Sequence, residues 1–171
     1  MAVTPTGILA KPLLGLRDLL SRTAQWKTLT GEATAAAAAN HIYVAGLDLD
    51  DGDTWDDVRP LMVIAFEDPG WSRQRNAETD WIDEWTLLVS IEITVPEAYR
   101  DDPAEALTDL LNKVGAVWSE AWAIQGADDD GTAQIVLRST SMVAHELSNE
   151  DEVNDRGHYA VAVFTAITGT L

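Results

Sequence analysis

The chain contains no cysteine in its 171 residues. This excludes a disulfide scaffold, a thiolate metal site and a cysteine nucleophile, and it fits assembly inside a cell. Long apolar runs are missing too, and none approaches the ~20 residues that a membrane span requires. The opening MAVTPTGILAKPLLGL is interrupted by Pro5 and Pro12 and has no basic stretch ahead of its apolar part. Neither a signal peptide nor a membrane anchor is expected. Positive charge is scarce: 11 Lys and Arg stand against 29 Asp and Glu, a net of −18. Tight binding to nucleic acid phosphates depends on Lys and Arg displacing counterions, so this balance argues against it. What remains is a chain long enough to fold as one domain without staples, burying roughly 70% of the surface its unfolded form exposes.

Motifs that carry chemistry are absent as well. No G-x-S-x-G elbow, Walker loop or G-x-G-x-x-G occurs. The three histidines, His41, His145 and His158, are far apart and form no HxxxH or HxH pair. The acidic loops fail the calcium-loop test: with Gly52 at the sixth position Leu47 would be the first ligand, and with Gly131 there Gly126 would be. Asp83 and Glu84 are adjacent on an expected strand, so they point to opposite faces and cannot flank one bond. No active site, metal or cofactor is expected.

The charge that is present is unevenly spread. Residues 1 to 27 hold Lys11, Arg17, Arg22 and Lys27 against the single acid Asp18, a net of +3. The remaining residues therefore carry −21. A basic N-terminal stretch on an acidic body invites association between copies, with Arg17 and Arg22 as contact residues.

Hydrophobic spacing sets the expected elements. Leu13, Leu16, Leu19 and Leu20 predict an amphipathic helix over residues 12 to 24, with Pro12 in its first turn. GEATAAAAAN predicts a short helix docked on small side chains, HIYVAG a brief strand, and LDLDDGDTWDD a loop. Residues 59 to 66 and 86 to 96 read as antiparallel strands bounded by Pro60 and Pro96. Asp102 as N-cap, Pro103 at the first position and Glu105 at the third start a long helix over residues 102 to 125. Its apolar stripe runs through Leu107, Leu110, Leu111, Val114, Val117, Trp118 and Ala121, and Gly115 suggests a close backbone approach. Residues 133 to 145 and 157 to 168 complete the pattern as two more strands. In the last, Ala160, Ala162, Phe164 and Ala166 make a mostly small-residue face with room for a helix. The expected fold is α+β: a mainly antiparallel sheet of four to five strands with helices packed on one face.

One stretch exceeds what this fold needs. WIDEWTLLVSIEITV, residues 81 to 95, alternates apolar and polar positions throughout, and fully extended it would span ~50 Å. Either it breaks near Asp83 and Glu84 or its first part projects. The connection before it, residues 67 to 85, is too long for a hairpin loop and holds Trp71, Trp81 and Trp85 with Arg73 and Arg75. Trp and Arg anchor protein interfaces, so these five residues are the candidate contact with another subunit.

The order of motifs resembles a known family. An N-terminal amphipathic helix, RPLMVIAFEDPGW as a strand entering an acidic turn, IEITVPEAYRDDPAEALTDLLNKVGAV, and two terminal strands are similar to tail-terminator (tail-completion) proteins of long-tailed bacteriophages. The likeness covers residues 12 to 168 in layout and 59 to 117 in sequence. It implies a structural virion protein, not an enzyme, that forms a hexameric ring on the head-proximal end of the tail tube. The ring would end tube polymerisation and offer a surface to the head. The implied partners are further copies of the chain, the tail tube protein and a neck or head-completion protein, with DNA only in passage and no membrane. Assembly would occur in the host cytoplasm. An acidic bore would keep DNA from sticking, and the loops at 48 to 57, 128 to 130 and 150 to 155 are candidates to line it, with Asp48, Asp50, Asp51, Asp53, Asp128, Asp129 and Asp130 foremost. A neck or head-completion subunit, or an acidic adaptor that forms no ring, are the alternative readings.

Overall fold

The computed structural model of the chain describes residues 10–44, 60–75, 81–94, 103–127, 136–147 and 158–169. Its first element is α1 (Ala10–Arg22). Leu16 and Leu20 are fully buried and Leu13 and Leu19 nearly so, as their helical spacing predicts. Each such leucine contributes ~1.5–3 kcal/mol relative to an exposed one. The expected helix over 12 to 24 ends earlier, because Thr23 leaves the helical region (φ −64, ψ 137). Its hydroxyl accepts the N–H of Trp26 at 3.2 Å and donates to the carbonyl of Leu20 at 2.8 Å. That cap starts a second helix, α2 (Ala24–Thr30), which the sequence pattern did not announce. Gly31 closes it in the left-handed conformation at φ 72. The alanine run forms α3 (Ala35–Ala39), capped by Thr34. Ala38 is fully buried, and its carbonyl takes the indole N–H of the buried Trp26 at 3.1 Å.

The remaining elements are β1 (Ile42–Val44), β2 (Leu61–Arg75), β3 (Trp81–Thr94), α4 (Pro103–Ala127), β4 (Val136–Leu147) and β5 (His158–Gly169). The strands form one sheet in the order β1-β2-β3-β5-β4. Here the antiparallel sheet expected from the sequence needs correction. β1 runs parallel to β2, Ile42 pairing with Met62 and Val44 with Ile64, so the sheet is mixed. A parallel pair needs a crossover of a dozen or more residues, and the chain between Val44 and Leu61 is long enough to supply it. β3 lies between β2 and β5 and so joins the two expected strand pairs.

Ile42, Val44, Met62, Ile64, Leu137, Val161, Val163 and Ile167 join one buried cluster with the helices. From α4 the stripe residues Leu110, Val114, Val117, Trp118 and Ala121 enter it, with Leu107 and Leu111 partly buried beside them. Two further expectations change. The helices cover the face of β5 that carries Val161, Val163, Thr165 and Ile167, not the small face of Ala162, Phe164 and Ala166. Gly115 has no close neighbour: a Cβ placed there meets nothing within 4 Å. The expected N-cap Asp102 lies outside the described residues.

Candidate assembly surface

Residues 67 to 75 and 81 to 85, expected as part of a connection, belong to the strands. β2 continues to Arg75 and β3 begins at Trp81, and the two remain laddered along their length. β3 runs unbroken through Asp83 and Glu84, so the break that its length allowed does not occur there. The irregularity falls on β2 instead. Phe66 pairs with Leu87 and Trp71 with Trp85, so Glu67, Asp68, Pro69 and Gly70 stand against the single residue Thr86. Pro69 has no N–H to give the ladder and Gly70 tolerates the turn, which is why an enlarged bulge sits there.

Beyond the bulge lies a hairpin arm, Trp71–Arg75 against Trp81–Trp85. It sets Trp71 opposite Trp85, Arg73 opposite Asp83 and Arg75 opposite Trp81. The five contact residues expected from the sequence thus share one end of one hairpin. Among the described residues β5 accompanies β3 as far as Gly169, which pairs with Asp83. The rungs Gln74↔Ile82 and Arg75↔Trp81 lie past it. On the other side, β1 covers β2 only at Met62, Val63 and Ile64. Among the described residues, no strand pairs with that edge of β2 from Ala65 to Arg75.

The basic residues Arg17 and Arg22 lie on α1. Its four leucines fix α1 to the core. Arg17 is half-buried, and the Nε of Arg22 is 3.4 Å from a carboxylate oxygen of Asp18, one turn back. Such an exposed pair within a helix contributes ~0.3–0.5 kcal/mol. Asp48, Asp50, Asp51, Asp53, Asp128, Asp129 and Asp130 lie outside the described residues, as does the 150 to 155 loop.

Two features had no local signal in the sequence. The carboxylate of Glu120 on α4 accepts the backbone N–H groups of Ala24 at 2.7 Å and Gln25 at 3.0 Å. Together with the Thr23 hydroxyl on Trp26, it satisfies the first three N–H groups of α2. Trp122 is 40% exposed on α4, at the edge of the apolar stripe and one turn after Trp118. Among the described residues it and Val143 are the exposed large hydrophobics, and the helical spacing of Trp122, four residues after the buried Trp118, gives no sign of its exposure.

The imidazole of His41 has its Nδ1 3.0 Å from the carbonyl of Pro60 and its Nε2 3.4 Å from a carboxylate oxygen of Glu32. It ties β1 to the start of β2 and to the turn after α2. Among the described residues no group of three His, Asp or Glu side chains is arranged to hold a metal ion, and no helix is long and apolar enough to cross a membrane. No protein-family model and no curated protein matches the chain.

Proposed function

We propose that this chain is the tail terminator of a long-tailed bacteriophage, a structural subunit that closes into a ring on the head-proximal end of the tail tube. The reading is carried by the hairpin arm. A strand pair that gathers tryptophans and arginines at one end of the sheet, Trp71 opposite Trp85 and Arg75 opposite Trp81, is suited to contact a neighbour or the tube. The similarity in motif order supports the same assignment. The strong negative charge suits a ring through which DNA passes without being held.

Negative-stain imaging of the purified protein mixed with growing tail tubes tests this. Tubes of uniform length, each with a ring at one end, are the expected result. Binding only to the portal end of heads, with tube length unaffected, would overturn it and assign the chain to the capsid side of the joint. Binding to neither would leave the adaptor reading.

A further inference from the structure

The helices of this chain pack on one face of the sheet, and the β4–β5 half of the other face is poorly suited to water. On β5, Ala162, Phe164 and Ala166 alternate with the buried Val161, Val163, Thr165 and Ile167. The register sets Val143 opposite Ala162, Ser141 opposite Phe164 and Ser139 opposite Ala166. Paired residues share a face, so these six form one surface. Ser139, Ser141 and Val143 are exposed, Val143 to 45%, and the three β5 residues are half-buried. An antiparallel sheet with one wet face turns polar side chains toward it. Here only the two serines are polar, and none of the six is charged, on a chain with 29 acids.

The outward ridge of α4 has the same character. Thr108, Asn112, Ser119, Trp122 and Ala123 are exposed, with Gly115 among them at helical spacing. After the first turn the charges of this helix are engaged elsewhere: Asp109 lies 2.6 Å from Lys113, and Glu120 accepts amides of α2. We propose that this ridge in one copy packs across the β4–β5 face of the next, a helix-on-sheet contact repeated from copy to copy. Such a contact adds to that of the arm and rests on the ring reading for its purpose.

Three observations select a second copy as the occupant. The first is charge. Copies of net charge −18 repel as wholes, and they meet most easily where no carboxylate has to be dried or set against another. The ridge and the sheet face both satisfy that condition. The second is shape. Trp122, 40% exposed, and Val143 are the exposed large hydrophobics among the described residues. One stands in the helix layer and the other on the opposite side of the sheet, so a single copy cannot join them and successive copies can. A Trp anchor is strongest when it fills a hollow, and the alanines and serines around Phe164 make a face low enough to take it.

The third is Gly115. Glycine within a helix is less favourable than alanine, and a Cβ placed here meets nothing within 4 Å, so packing inside the chain does not require it. On the outward ridge it lets the backbone of α4 come close to another surface. The close approach that its position in the sequence suggests is then made between copies. A contact between two different faces is heterologous, and it closes into a ring when the rotation per copy allows.

The absence of cysteine makes a direct test possible, because Ser119 and Ser141 are both exposed. Ser119→Cys and Ser141→Cys are introduced together and singly, and each protein is treated with a short bismaleimide, alone at high concentration and on tail tubes. The double variant should give a ladder of dimer, trimer and larger species on a denaturing gel, and each single variant should stay at the monomer. A dimer from either single variant would show like faces meeting and overturn the proposal. So would a double variant that yields no ladder. Gly115→Leu, added to the double variant, reads the same contact with opposite signs. The melting temperature at low concentration should hold or rise, since the space is open and leucine is the better helix former, while the ladder should be lost. A ladder that survives this change would also overturn the proposal. Ladders from protein that leaves tube length unchanged would keep the contact and remove the terminator reading, whereas capped tubes without ladders would do the opposite.

Discussion

The indole N–H of Trp118 donates to the hydroxyl of Thr165 at 3.1 Å, joining α4 to β5 inside the core. Thr165 is fully buried and Trp118 is 2% exposed, so neither group has water as a substitute partner. Thr165→Val should cost about 1–2 kcal/mol by stranding the indole N–H. Trp118→Phe should cost about 2–4 kcal/mol, because it strands the hydroxyl and leaves a void as well. In urea unfolding the double variant should cost less than the two single losses added, by about 1 kcal/mol, since the second change removes a group already without its partner. Strict additivity would deny the bond.

Thr140 stands directly opposite Thr165 in the ladder, and its buried hydroxyl oxygen has no hydrogen-bond partner. Leaving such a group unpaired costs about 1–3 kcal/mol, and valine has nearly the same shape without the polar atom. Thr140→Val should therefore raise stability by about 0.5–1.5 kcal/mol. A rise in the denaturation midpoint with an unchanged m-value is the expected readout. A fall would mean that the hydroxyl is satisfied in solution.

Glu120 fastens α2 to α4 across ninety-odd residues of chain, each carboxylate oxygen taking one N–H of the helix start. The anion also faces the positive end of the α2 dipole. Because the contacts are solvent-accessible, Glu120→Ala should cost only about 1–2 kcal/mol. Glu120→Gln, which keeps one acceptor, should cost less. Hydrogen exchange at the Ala24 and Gln25 amides should speed up more than at Trp26, whose N–H remains on Thr23. Equal acceleration at all three would point to loss of the whole helix.

Gly115 sits within α4 with open space where its side chain would be. Gly115→Ala should stabilise the isolated chain by about 0.5–1 kcal/mol, the cost of glycine in a helix interior. Thermal unfolding at low concentration checks this. A loss of stability would show that the helix backbone is approached closely after all.

The elements legible in the sequence were those whose burial pattern is local. The leucines of α1 and the stripe of α4 turn the same side inward at helical spacing, and nothing distant is needed to place them. α2 escaped because AQWKTLT buries only Trp26, so its period has nothing to repeat, and half its cap comes from Glu120. The direction of β1 was equally hidden, since alternation states which face is inward but not which way the neighbouring strand runs. On β5 both alternating sets are short or apolar, so the choice of face was settled by which one α4 reaches, through Trp118 and Thr165. In the arm, Glu67–Asp68–Pro69–Gly70 has the composition of a turn, and it is a bulge because β3 continues unbroken beside it. The alternation back to Trp81 did contain that answer.

The arm offers the sharpest separation of assembly from folding. Arg75 pairs with Trp81 at the last described rung, and among the described residues β2 and β3 have only each other there. A residue that serves assembly alone usually changes folding stability by no more than about 0.5 kcal/mol. Interface anchors of the Trp and Arg type, in contrast, cost about 2 kcal/mol or more of binding when truncated, roughly a thirtyfold loss. Trp81→Ala and Arg75→Ala should therefore leave the melting temperature within about 2 °C of the parent while shifting the concentration for assembly upward by an order of magnitude or more. Light scattering across a dilution series, run beside a melting curve, measures both. A drop of many degrees with assembly intact would place these residues in the support of the fold, and the contact would then have to be sought on another face, with exposed Trp122 on α4 the first to examine.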